Sequence, residues 1–167
     1  GEEQEAFAAY DSCLQWKDDN VMALNNYAYY LSEKGVDLHK AESMSYKTIK
    51  AEPNNGTYLD TYAWILFMEE RYADAKTYID QALKNRDSTA DNSTVLEHAG
   101  DIYYMNGMAD ESVDFWKKAY TGENQTEVLA WKIKNRQYIT GEELKKRNAP
   151  KQKPAATKKS VRKGKKK

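Results

Sequence analysis

The sequence predicts an all-α protein built from helix pairs. Along most of the chain, apolar residues recur at intervals of three and four, the period of a helix that buries one face. The 167 residues contain only three prolines and eight glycines, too few for the many turns of a sandwich or barrel. A charged fraction of 31% and 13 tyrosines suit helices that pack on one side and face water on the other.

The clearest helix pair spans residues 56–87. Its two apolar stripes are formed by Leu59, Tyr62, Ala63 and Leu66, and then by Ala75, Ile79, Ala82 and Leu83. These stripes resemble W-x2-L-G-x2-Y followed by A-x3-F, the motif of the tetratricopeptide repeat (TPR) family, with Leu59 in the place of the Trp. Ala75 also follows Ala41 by 34 residues, which is the period of that family.

The resemblance implies an α-solenoid of TPR-like helix pairs, closed by a C-terminal capping helix. Laying the motif over the chain predicts a partial repeat at 1–20, full repeats at 21–55, 56–92 and 93–124, and a cap at 125–139. This amounts to about three and a half repeats. Because a second-helix pattern begins almost at residue 1, we expect the chain to be a piece of a longer protein.

Charge divides the chain into an acidic body and a basic tail. Residues 1–139 hold 14 basic and 24 acidic side chains (14 − 24 = −10), whereas residues 140–167 hold 12 and 2 (12 − 2 = +10). Residues 140–167 include too few apolar side chains for their burial to offset the entropy lost on ordering. We therefore expect this segment to be mostly disordered, with 141–147 as a candidate extension of the last helix.

The basic tail offers a candidate polyanion-binding segment. Its cations from residue 151 onward are Lys151, Lys153, Lys158, Lys159, Arg162, Lys163, Lys165, Lys166 and Lys167. The run PAATKK within it weakly resembles the bipartite nuclear-import signal of nucleoplasmin. Nucleic-acid contact and plain solvation are the other interpretations of such a composition. The compartment stays open, with bacterial cytoplasm or envelope favoured over the nucleus.

The sequence offers little for catalysis. His39 and His98 belong to different repeats, and neither has a second His or a Cys at the spacing of a metal site. No nucleophile elbow, phosphate-binding glycine loop or H-E-x-x-H is present. We therefore expect no enzyme, no metal and no cofactor. The single Cys13 excludes an intrachain disulfide, and no apolar run approaches the length of a membrane helix.

The resemblance implies that the first helix of each repeat lines a concave groove for an extended peptide. The candidate positions in this sequence are Asn25, Tyr29, Asp60, Trp64, Phe67, Glu97, Asp101 and Tyr104. We expect the rings to be exposed for binding, with packing against a neighbouring repeat as the alternative. Acidic residues stand where one branch of the family uses cations to hold a carboxylate, which favours a cationic or apolar peptide. The predicted function is a non-catalytic scaffold or adaptor; the alternative is a polyanion binder that acts through its tail.

Overall fold

The computed structural model describes residues 5, 7–10, 12, 20–122 and 124–149, and all of the regular secondary structure in them is helical. Helical residues at 5, 7–10 and 12 come first. The helices that follow are α1 (Val21–Lys34), α2 (Leu38–Ala51), α3 (Gly56–Met68), α4 (Tyr72–Asn85), α5 (Ser93–Met105), α6 (Ala109–Ala119), α7 (Glu127–Asn135) and α8 (Gly141–Asn148). Within the described part of the chain, no helix is both long and apolar enough to span a bilayer.

The helices stack as pairs in one direction. Pairs form between α1 and α2, between α3 and α4, and between α5 and α6, and each second helix also packs on the first helix of the next pair. The first helices α1, α3 and α5 contact one another in turn, which places them side by side along one surface. This arrangement is an all-α solenoid, as the sequence predicts.

Local capping explains where several helices begin and end. Asn20 and Asn55 cap α1 and α3, and each side chain accepts a hydrogen bond from a backbone N–H of the first turn. Gly35 ends α1 in the left-handed conformation with φ of 64°, which a residue with a side chain adopts less readily. Helices α1 and α3 therefore begin at N-caps that the sequence encodes.

Small residues allow close helix packing in each repeat. Ala28 and Ala63 are fully buried at equivalent positions of α1 and α3, and Gly100 occupies that position in α5. Gly100 lies against the Trp116 indole of α6, and a Cβ atom added there would lie 2.3 Å from Trp116 Cδ1. The tryptophan is itself fully buried, so the α5–α6 pair depends on a glycine at this position.

The C-terminal end differs from the sequence prediction. The predicted cap at 125–139 is the shorter helix α7, which ends where Arg136 takes a φ of 55°. The chain then forms a separate helix, α8, which starts with a capping box between Thr140 and Glu143 and buries Leu144. The sequence offered residues 141–147 as an extension of the last helix, and the structure makes them a separate helix that one leucine and a cap, and not a full apolar stripe, hold in place. The nine tail cations, the import-like run and Cys13 lie outside the described residues.

Candidate peptide-binding groove

Two adjoining cavities lie along the surface formed by the first helices. The polar cavity, of about 580 Å³, lies between α1, α3 and the connection from α4 to α5. The aromatic cavity, of about 470 Å³, is lined by α1, α3, α5, α7 and residues 138–141. Tyr29 contributes to both cavities, and we call the two together the groove. Volumes in this range accommodate several residues of an extended peptide or a small molecule.

The polar cavity is lined mainly by side-chain amides and hydroxyls. Its amide-bearing residues are Asn25, Asn26, Asn54, Asn55, Asn85 and Asn92. Asn25 is only 4% exposed, yet its Oδ1 accepts no hydrogen bond from any described residue. Its Nδ2 donates to Asn26 Oδ1 over a long 3.5 Å. A buried acceptor without a partner is costly, so Asn25 is a polar residue at the edge of the cavity whose hydrogen-bonding capacity the described fold does not satisfy.

The rings predicted to be exposed in the groove are instead packed. Trp64 is 9% exposed and stacks between His98, at a centroid distance of 4.1 Å, and Phe67, at 4.8 Å. Its Nε1 donates to Glu33 at 2.8 Å. Tyr138, which follows α7, packs edge-on against Phe67 and closes the stack from the other side. The expectation of exposed rings is wrong for Trp64 and Phe67, because neighbouring repeats and the C-terminal segment cover them.

The acidic groove positions are largely neutralised within the fold. Asp60 accepts from His98 Nδ1 at 3.0 Å, and both side chains are buried. Burial by itself lowers the pKa of His98. The carboxylates of Asp60, Asp101 and Glu33 raise that pKa by more than burial lowers it, so the net effect is a raised pKa. This favours a charged imidazolium beside the Asp60 carboxylate.

A second buried pair joins α5 to α7. Lys132, 3% exposed, donates to both carboxylate oxygens of Asp101 at 2.7 and 2.8 Å and to Glu97 at 3.1 Å. Asp101 also accepts from Trp116 Nε1 at 2.8 Å. Sequence reasoning missed Lys132 and His98 as groove residues. The sequence feature that could have indicated them is the pair of acidic residues Asp60 and Asp101 on first helices, because a buried carboxylate needs a cation nearby.

A negative field remains in the aromatic cavity. Burial raises the pKa of the Tyr29 hydroxyl, and Glu33, Asp60 and Glu97 raise it further. Glu33 and Glu97 both line the cavity, and only Glu97 shares in the Lys132 cluster. Near Tyr29, the described carboxylates therefore outweigh the described cations.

The structure brings most of the predicted groove residues together. Asn25, Tyr29 and Asp60 line the polar cavity, and Tyr29, Trp64, Glu97 and Asp101 line the aromatic cavity. Phe67 lies behind Trp64 in the stack. Tyr104 lines neither cavity and packs beside Trp116 in the α5–α6 core, with ring centroids 5.9 Å apart.

The sequence and the fold were both compared with those of known proteins. No protein-family model matches the chain. Over 66 residues, 40% of this chain, the sequence is 35% identical to TPR repeat-containing protein PA4667 of Pseudomonas aeruginosa. The match spans 11% of that protein, so the chain is similar to about a tenth of the length of this relative.

Three solved structures share the fold at low sequence identity. The first TPR domain of human RPAP3 is 13% identical, with a TM-score of 0.59, and the alignment covers 70% of this chain and 88% of that one. YrrB, described as a TPR protein with an unusual peptide-binding site, is 14% identical with a TM-score of 0.61, covering 75% and 62%. The N-terminal domain of stress-induced protein-1 from C. elegans is 20% identical with a TM-score of 0.54, covering 71% and 94%. The fold is that of TPR domains, an α-solenoid.

Proposed function

We propose that this chain is a non-catalytic peptide-binding module that holds an extended segment of another protein in its groove. The observation that carries the proposal is Asn25 Oδ1, a buried acceptor in the polar cavity that no described residue satisfies. Because this oxygen is buried, a backbone N–H of a bound peptide would reach it once the Asn25 side chain turns toward the cavity. Binding would then remove the cost of the unsatisfied group, which favours the complex over the free protein.

The aromatic cavity favours a basic side chain in the ligand. Tyr29 supplies a ring, and Glu33 and Glu97 supply carboxylates that line the same cavity. A Lys or Arg side chain placed there would gain ion pairing and contact with a ring face. An acidic segment would meet the negative field that raises the pKa of Tyr29, and it should bind poorly.

The comparisons support this reading at the level of the fold. TPR-like solenoids commonly act as interaction scaffolds, and the similar fold of YrrB is described with a peptide-binding site. Nucleic-acid binding through the nine tail cations remains the alternative. It depends on their charge alone.

The experiment is fluorescence anisotropy of the full chain with three labelled ten-residue peptides of equal apolar content, carrying Lys, Glu or Gln at alternate positions. The Lys peptide should bind most tightly and the Glu peptide least. Glu33→Gln and Glu97→Gln should each weaken the Lys peptide several-fold. Glu111→Gln, at the exposed start of α6, is the matched control and should change nothing.

Binding of the Glu peptide as tight as that of the Lys peptide would refute the proposed ligand class. Equal binding of the Lys peptide by residues 150–167 alone would refute the groove as its site. Peptide binding by residues 1–149 without the tail, together with RNA binding only by the full chain, would separate the two functions.

A further inference from the structure

A cluster of metal-ligating side chains lies outside the groove, where the start of α2 meets the end of α3. His39 and Glu42 belong to the first turns of α2, and Glu69 is the C-terminal cap of α3. One potential ligand atom from each residue lies within 4.8 Å of the other two. The residues described as lining the two groove cavities do not include any of the three.

Helical geometry explains why the three side chains converge. His39 and Glu42 are separated by three positions, so they project from the same face of α2. Glu69 is held at the end of α3 by its backbone N–H, which donates to Ile65 O at 3.0 Å. Two rigid elements therefore position the ligands, and the short H-x-x-E pattern at 39–42 is the sequence signal for the site.

Glu69 has an oxygen that the described fold leaves unused. Its side chain is 10% exposed, and its Oε1 accepts no hydrogen bond from the residues that the structure describes. That oxygen lies 3.6 Å from His39 Nδ1, a separation at which two ligands of one metal ion stand. A buried carboxylate oxygen without a hydrogen bond is uncommon, and a metal ion between it and the imidazole nitrogen would satisfy it.

Arg71 orients the two carboxylates. Its guanidinium donates to Glu42 Oε1 at 2.6 Å and to Glu69 Oε2 at 3.2 Å, and it leaves Glu69 Oε1 free to face the imidazole. Tyr62 also donates to Glu42 Oε1, at 3.3 Å. Hydrogen bonds of this kind orient the ligating carboxylates of metal sites. The two carboxylates and Arg71 carry a net charge of −1, which favours a divalent cation.

We propose that His39, Glu42 and Glu69 bind a divalent transition-metal ion of the zinc class. One imidazole and two carboxylates form a ligand set that zinc accepts, with a fourth position open to water because His39 is fully exposed. The imidazole disfavours magnesium and calcium, which prefer all-oxygen sites. A bound ion would tie the α1–α2 turn to the end of α3 and so brace two successive repeats.

The test is isothermal titration of the full chain, without a polyhistidine tag, with zinc chloride at pH 7.5. We expect one submillimolar site, no comparable site for magnesium, and a rise in Tm with zinc. His39→Ala and Glu69→Gln should each weaken zinc binding at least tenfold and abolish the Tm shift. Because the His39 side chain is fully exposed, His39→Ala should leave the circular dichroism spectrum unchanged.

Cys13→Ser is the matched control, since it removes the only thiol, and it should bind zinc as the parent chain does. Absence of zinc binding, or equal binding by His39→Ala, would overturn the proposal and leave the cluster as an ion-pair network. Loss of binding in Cys13→Ser alone would assign the zinc to the thiol.

Discussion

Replacing Asn25 with leucine should make the protein more stable and a poorer peptide binder. Asn25 is 4% exposed, and its Oδ1 finds no donor among the described residues. An unsatisfied buried polar group costs about 1–3 kcal/mol of folding free energy. Leucine has the same branched side-chain skeleton and no polar atom. The only described hydrogen bond of the side chain is the 3.5 Å contact to Asn26, so little is lost.

The expected gain is measurable by calorimetry. At this chain length, about 1 kcal/mol shifts Tm by about 2–4 °C, so Asn25→Leu should raise Tm by several degrees. The same variant should bind the Lys peptide at least tenfold more weakly, a loss of about 1.4 kcal/mol. Asn135→Leu, at an exposed position of α7 remote from both cavities, is the control and should alter neither quantity appreciably.

Two outcomes would refute the reasoning. A lower Tm in Asn25→Leu, with peptide binding unchanged, would mean that the amide is satisfied within the fold and stabilises it. A higher Tm with unchanged binding would confirm the unsatisfied group but remove it from the binding site. In the second case the proposed function would lose the observation that carries it.

Three further predictions test the packing and the buried charges. Gly100→Ala should lower the free energy of unfolding by about 1–3 kcal/mol in urea titration, since its Cβ would overlap Trp116; an unchanged value would mean that the α5–α6 pair is loosely packed. Trp64→Ala should lower it by about 3–5 kcal/mol, whereas an exposed ring would produce little change. The raised pKa of His98 stabilises the fold below its unfolded pKa of about 6.5, and that contribution is lost as the pH rises through the folded pKa. Tm should therefore fall as the pH rises above about 6.5, and Asp60→Asn should reduce this fall; an identical pH profile in the variant would show that the pair does not contribute.

The sequence by itself determined the elements and their repetition. Apolar spacing and a 34-residue period are local properties of the chain, and they predicted the stripes of α3 and α4 without knowledge of any neighbour. The resemblance to the TPR family implied that the first helices lie along one surface. The same pattern could not predict which groove side chains are exposed, because a groove-facing position is either open or covered by another segment.

The tertiary structure decided which groove residues are available. His98 meets Asp60 across 38 positions and Lys132 meets Asp101 across 31, so acids that looked free for a ligand are paired by later repeats. Residues 138–141 then close one side of the aromatic cavity over the Trp64 stack. Burial and charge pairing depend on how segments distant in the sequence pack in the fold, whereas periodicity indicates only the helix face on which a residue lies. For that reason the sequence determined the helices, and only their packing determined the site.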